Sequence, residues 1–424
     1  MHSSRRSLTS LVLHLHPQSV PASTLRFTLS FGLGGMAATL MGLLFLTGPL
    51  LLLLYQPSAE GAYDSVLVLT REVPFGRFAR NIHSLSANIL AGIVLLHGLR
   101  TLFTGAFGPG RRLNWIVGLF LLVLVLAANF TGYLLPWDQL AYWAGTICVN
   151  MLGYVPLCGG GLMEFVRGGK EVGPGTLANF FTLHVAILPA VLLVLTAWHF
   201  WLVRRAGGLV RSGDGEARLP VKPDLIAREA AAGLTLAACV LLLAIVIDAP
   251  LLARANPALS PNPAKAPWYF QGFQEILLHL DPAFAVFVWP VLGAAALVVL
   301  PFVPGAALPP GVWFGAKGGW KLAAWSALAG AALAAAVILA DEFIPGAASP
   351  GAWIMRGLIP TAALAALLGG AYVALTRGGK RSRAQAVMAI LTFAFAAMTV
   401  CAIVGIWFRG PLMRLTWPFA GGGA

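Results

Sequence analysis

Four histidines stand in long apolar stretches as two pairs: His83 and His97 are 14 residues apart, His184 and His199 are 15 apart. A neutral imidazole offers one nitrogen lone pair to a metal, and two facing imidazoles can hold the iron of one haem from both sides. Four helical turns take about 14.4 residues, so either spacing returns to the same helix face roughly 21 Å further along. Two such helices side by side oppose their histidines in two layers, each fit for one haem, which is the wiring of a transmembrane electron path. A lone histidine in an apolar helix is ordinarily a packed residue, but ionisable groups inside a membrane are costly and tend to be functional. The other four histidines, His2, His14, His16 and His279, fall outside the expected spans.

A haem between helices needs room, and small residues provide it. Gly34 and Gly48 are 14 apart in the first apolar stretch, and Gly118 and Gly132 are 14 apart in the third. Glycine is common in membrane helices, but these two pairs run in phase with the histidines. Arg80 precedes His83 by three residues and Arg100 follows His97 by three. Both suit the carboxylates of haem propionates, or an anchoring role at the membrane interface.

The elements that must position these residues are helices that cross a membrane. The chain is 58% hydrophobic and 10% charged, against about 25% charged in soluble domains. Apolar runs predict about nine spans, near 26–54, 79–104, 114–135, 177–203, 228–249, 284–303, 319–340, 355–376 and 385–408. Each meets the length of about 20 residues needed to cross the hydrocarbon core, although eight spans with one late re-entrant segment is an alternative. The fold class expected is all-α, a polytopic helical bundle with an N-terminal four-helix diheme bundle. With a cytoplasmic N-terminus, 18 of 28 Lys/Arg fall on the cytoplasmic side and only 4 of 15 Asp/Glu, as the positive-inside rule requires. The net charge of +13 then reports orientation and contact with anionic membrane lipids, not nucleic-acid binding. The four cysteines form no CxxC or CxxCH, so neither covalent c-type haem nor an iron–sulfur site is encoded. Cys148 and Cys158 share an external loop and are either a disulfide or two free thiols.

The stretches RNIHSLSANILAGIVLLHGLR, TGYLLPWDQLAYWA and FFTLHVAILPAVLLVLTAWHFWLVRRAGG resemble cytochrome b of the quinol–cytochrome c reductase (Rieske/cytochrome b) complexes, over residues 26 to 208. The 15-residue histidine step and Asp138 are similar to the chloroplast-type split form. The resemblance implies that His83 and His184 ligate a low-potential haem near the outer face. It implies that His97 and His199 ligate a high-potential one near the cytoplasmic face. The split form's haem-tethering cysteine is replaced by Gly32, and an arginine common before the third ligand is absent from TLANFFTLH, which carries Asn179.

NPAKAPWYFQGFQEILLH, residues 262–279, resembles the loop bearing the family's Pro-Glu-Trp-Tyr motif at the quinol-oxidation site. Trp268 and Tyr269 match, while Pro267 replaces the glutamate. Glu275, with Asp281 beyond it, is the nearest carboxylate for accepting a quinol proton; alternatively Glu275 pairs with Arg254 or Lys265 and only shapes the loop. Arg26, Lys222, Asp224 and Arg228 are candidates for a cytoplasmic quinone site. The expected division is 1–25 as a cytoplasmic segment, 26–208 as the diheme bundle, 209–341 as the part with the quinol loop, and 342–424 as extra spans and an external tail. The resemblance implies quinone, two non-covalent b-type haems, a Rieske iron–sulfur protein or equivalent, a c-type cytochrome subunit, a dimeric complex and the bacterial cytoplasmic membrane. A diheme anchor subunit of a dehydrogenase and a non-redox transporter are the rival readings. The former needs no second quinone loop, and the latter needs no ligand ladder.

Overall fold

The structure, a computed structural model, describes residues 18–208, 217–315, 318–343 and 353–418. Most of the expected N-terminal segment, including Arg5 and Arg6, and the last six residues of the tail lie outside these, as do Arg211 and Lys317. Among the described residues nine helices are long and apolar enough to cross a membrane: α1 Leu33–Leu52, α2 Gly76–Phe103, α3 Arg112–Leu134, α4 Pro174–Arg205, α5 Val221–Val246, α6 Phe284–Phe302, α7 Gly319–Phe343, α8 Ile354–Gly379 and α9 Arg383–Phe408. The all-helical class holds, apart from two three-residue strands. β1 (Ser19–Pro21) and β2 (Arg218–Pro220) pair antiparallel, with Ser19 opposite Pro220.

The first apolar run is not one helix. A short helix, Phe27–Ser30, stops where Phe31 and Gly32 take φ of 50° and 63°. This left-handed conformation ends an α-helix, and α1 starts afresh at Leu33. Three shorter helices, Ala62–Arg71, Gln139–Met151 and Gly159–Arg167, join the spans. Asp138 caps the second of them. Its Oδ1 accepts from the Ala141 amide at 2.9 Å and its Oδ2 from the Leu252 amide at 2.9 Å.

Several spans contain one wide π turn. Those at Leu183–Ile187, Phe284–Val288 and Ile354–Leu358 each end two residues before a proline: Pro189, Pro290 and Pro360. Proline has no amide hydrogen and its ring clashes with the carbonyl four residues back, so the preceding turn opens. A π turn takes up about one extra residue. The turn at Leu183–Ile187 therefore lets the 15-residue step of α4 keep the phase of the 14-residue step of α2.

The chain divides into two compact units. The first comprises Met1–Tyr133, Phe180–Leu251 and Ala307–Gly315. In it α1 packs on α2 and α5. Its core is Leu40, Ile82, Leu90, Val125, Leu192, Val240 and Ala244. Leu90 and Val125 lie midway between the two histidines of α2 and the two glycines of α3. The second unit comprises Leu134–Asn179, Leu252–Ala306 and Ala316–Ala424. In it α9 packs on α7 and on the loop helix Gln271–His279. The α7–α9 crossing is close: a Cβ on Gly330 would lie 2.2 Å from the Phe393 carbonyl oxygen. Glycine is required at that point.

Candidate functional site

The first unit brings the four histidines together in two facing pairs. The rings of His83 and His184 are 6.2 Å apart between centres and inclined at 75°. Those of His97 and His199 are 6.4 Å apart at 74°. Metal–imidazole bonds of about 2.0–2.1 Å, with each ring centre roughly 1.1 Å behind its nitrogen, ask for about 6.2–6.4 Å between ring centres. Both pairs therefore have the separation for one metal ion between two imidazoles. No group of three or more His, Cys, Asp or Glu among the described residues can hold a metal ion. A two-ligand site of this kind suits an iron whose remaining ligands come from a porphyrin.

The tautomers of one pair are fixed by their neighbours. Thr47 Oγ1 donates to the Leu43 carbonyl at 2.7 Å, so it can only accept from His83 Nδ1, 2.9 Å away. His184 Nδ1 lies 3.0 Å from the Ala128 carbonyl, which has no hydrogen to give. Thr131 Oγ1 is 3.3 Å from the same nitrogen. Each Nδ1 thus carries the proton and each Nε2 keeps a lone pair, the usual outer-shell arrangement of a metal-bound histidine. His199 Nδ1 lies toward the Asn114 backbone carbonyl but short of a full hydrogen bond.

Each of the four glycines abuts one ring. A Cβ on Gly34 would lie 3.6 Å from His97 Cε1, on Gly48 3.6 Å from His83 Cε1, and on Gly118 3.4 Å from His199 Cε1. On Gly132 it would lie 2.5 Å from His184 Cε1, so close that the ring would have to shift. Gly34 and Gly118 thus sit in the His97–His199 layer, Gly48 and Gly132 in the other.

The two arginines differ. Arg80 donates to the carbonyls of Ala249 at 2.9 Å and Pro250 at 2.5 Å. Arg100 donates through Nε to the Leu29 carbonyl at 2.6 Å, while its buried Nη2 has no partner. A buried guanidinium nitrogen with an unused donor suits an acceptor oxygen such as a propionate. Of the cytoplasmic candidates, Arg228 donates to the Leu25 carbonyl at 2.5 Å. Asn179 donates to the carbonyls of Phe165 and Val166, both at 3.1 Å.

In the second unit Trp268 is exposed and its ring is 5.6 Å from that of Tyr269. Pro267 is buried. Glu275 is fully buried and pairs with neither Arg254 nor Lys265. Arg409, just past α9, donates to it through Nη2 at 2.6 Å and Nε at 2.9 Å, and His279 Nε2 lies 3.0 Å away. Lys265 donates to the Ile406 carbonyl. Burial by itself would raise the Glu275 carboxyl, but the hydrogen bonds from His279 and Arg409 outweigh it and hold it below its ordinary value. The opposite balance holds at His279: burial works against its charge, and Glu275 and Asp341 raise it above the ordinary imidazole value. Sequence reasoning missed Arg409, since no local pattern joins residues 134 apart, and His279, although its four-residue spacing from Glu275 was a readable signal. Cys148 and Cys158 are separate thiols, and burial pushes Cys148 up to about 12.

The family model described as cytochrome b/b6/petB matches residues 18–207. The chain is 43% identical over 192 residues to a protein named cytochrome b6 from Heliomicrobium gestii, covering 45% of this chain and 88% of that one. It is 34% identical over 308 residues to the cytochrome bc complex cytochrome b subunit of Chlorobaculum thiosulfatiphilum, covering 70% of this chain and 71% of that one. A solved structure titled hyperthermophilic respiratory Complex III has the same fold, with a TM-score of 0.68 at 22% identity over 95% of this chain and 97% of that one.

Proposed function

The chain belongs to the cytochrome b/b6 family, as a multi-pass subunit of the bc type, and on that premise we propose that it holds two b haems and oxidises quinol near the outer face of a bacterial cytoplasmic membrane. His83 and His184 hold the outer haem, and His97 and His199 the inner. The observation that carries this reading is the facing of two imidazole pairs at the separation of a single metal ion. Bound there, the haems supply one-electron transfer between the two faces.

The chain's own residues do the rest. Thr47 and the Ala128 carbonyl hold the outer imidazoles in their ligating tautomer. Gly132 keeps a side chain out of the ring of His184, and Gly34, Gly48 and Gly118 abut the other three rings. Arg100, and less freely Arg80, offer donors to propionates. Trp268, Tyr269 and Glu275 serve the outer quinol site, and Arg26, Lys222, Asp224 and Arg228 a cytoplasmic quinone site. A Rieske iron–sulfur protein or equivalent takes one electron and passes it to a c-type cytochrome, in a dimeric complex. Pyridine haemochrome analysis of the purified complex, with c-type haem subtracted, is expected to give about two extractable b haems per chain by this ligand count. One haem, or b haem resisting acid–acetone extraction, overturns the assignment.

The cationic loops put the N-terminus in the cytoplasm, and nine spans then put the C-terminus outside. A C-terminal alkaline phosphatase fusion is expected to be active. An inactive phosphatase together with a fluorescent C-terminal cytoplasmic reporter overturns this sidedness.

A further inference from the structure

We infer that Glu275, His279 and Asp341 form a hydrogen-bonded relay that carries a proton released by quinol oxidation from the buried side of the loop helix to solvent. The inference rests on the proposed quinol role of this segment and deepens it, because Pro267 leaves the loop without a carboxylate beside Trp268.

The three groups are continuous and graded in exposure. His279 Nε2 is 3.0 Å from Glu275 Oε1, and its Nδ1 is 2.8 Å from Asp341 Oδ2. The side chains are 0% exposed at Glu275, 10% at His279 and 27% at Asp341. The buried end lies on the helix that follows directly from the turn Trp268–Phe270. An imidazole between two carboxylates can take a proton on one nitrogen and release one from the other. No other side-chain type does this near neutral pH.

Fixed charges frame the path. Arg409 grips Glu275 with Nε and Nη2, lies 3.4 Å from His279 Nε2 through Nη2, and reaches Glu342 with Nη1 at 3.0 Å. Arg356 donates to Asp341 Oδ1 at 3.0 Å. The Cys401 thiol on α9 is within electrostatic range of Glu275. The raised affinity of His279 for its proton follows from the two carboxylates. With a carboxylate oxygen against each ring nitrogen, the resting ring donates from both and is a cation.

The step balances as one proton in and one out. A quinol hydroxyl gives its proton to the Glu275 carboxylate, which removes one of the two anions holding the imidazolium. The Nδ1 proton then passes to Asp341 and on to water. A turn of the ring brings the bare nitrogen to Glu275, which surrenders its proton and restores the cation. Arg409, which cannot release its proton, holds the carboxylate in place throughout.

The test uses the purified complex with both haems verified. Stopped-flow reduction of the haems by quinol is followed across pH in wild type, His279→Gln, Asp341→Asn and Asp341→Glu. Without quinol-driven reduction in wild type, the quinol-oxidation reading itself fails. Given that reduction, Asp341→Asn is expected to slow it about a hundredfold, at the low end of acid–base effects, with Asp341→Glu restoring the rate. If His279→Gln loses haem, Asp341→Asn at the exposed end decides. Infrared pH titration of the oxidised complex reads the relay without turnover. The imidazolium band assigned by its absence in His279→Gln is expected to disappear at lower pH in Asp341→Asn, where one of its two carboxylates is gone. Wild-type rates and an unchanged pH profile in Asp341→Asn overturn the relay, even if the infrared band moves, because the cluster is then only a structural ion pair.

Discussion

Replacing His97 by leucine is expected to remove one b haem and leave the other. Haem content should fall by about half, since each layer depends on two axial imidazoles. His199→Leu should do the same, because its ring faces that of His97 at 6.4 Å. Double variants test the pairing without assigning any spectral signal. His97→Leu with His199→Leu should lose no more haem than either alone, since both empty one layer. His97→Leu with His184→Leu should lose both haems. This follows from the non-additivity of residues that act as a unit. If the within-layer double variant lost both haems while the cross-layer one retained half, the pairing would be wrong.

A second large effect is expected from adding one methyl group at Gly132. Its Cβ would fall 2.5 Å from His184 Cε1 and 3.0 Å from both ring nitrogens. The ring must then move, and with it the hydrogen bond from Nδ1 to the Ala128 carbonyl. Disturbing the outer-shell partner of a metal ligand costs about 10–100-fold in affinity. Gly132→Ala is therefore expected to lose the outer haem during purification, while Gly34→Ala and Gly48→Ala, with 3.6 Å of clearance, keep both. Haem per chain and a redox titration of each variant check this. A Gly132→Ala complex with two haems at unchanged potentials defeats the assignment.

The pairing of the four histidines was legible because a helix has a fixed period and the histidines obey it, and the structure sets them face to face in two pairs. So was the glycine phase, which needed only the same count. Hydropathy located the nine spans found among the described residues. It could not show the break at Phe31 and Gly32, because the residues on both sides are equally apolar. The short helices Gln139–Met151 and Gly159–Arg167 fell below the length that a search for spans can see. How α4 fits 15 residues where α2 fits 14 depends on a π turn set by Pro189, whose position was readable but whose consequence for phase was not drawn. The anchoring of the His83 and His184 imidazoles was half legible. The dipeptide Thr-Gly stands at both 47–48 and 131–132, each placing a hydroxyl beside a ring-facing glycine. The Ala128 carbonyl is backbone, so residue types say nothing of it. The setting of Glu275 depended on Arg409 from the far end of the chain, and only the folded second unit reveals it.

The core of the first unit has an electrical meaning. Between His83 and His97, and between His184 and His199, no residue is titratable; the same is true between Gly34 and Gly48 and between Gly118 and Gly132. Leu40, Leu90, Val125 and Leu192 fill that interval as buried hydrocarbon. With the haems bound as proposed, an electron tunnels through such a slab, but a proton finds no titratable side chain there to rest on. The slab behaves as the dielectric of a capacitor whose plates are the two histidine layers. Each electron moved across the full membrane potential stores about 2.3 kcal/mol per 100 mV. On the proposed function, that energy is held by a few buried leucines and valines, which offer a proton no titratable group.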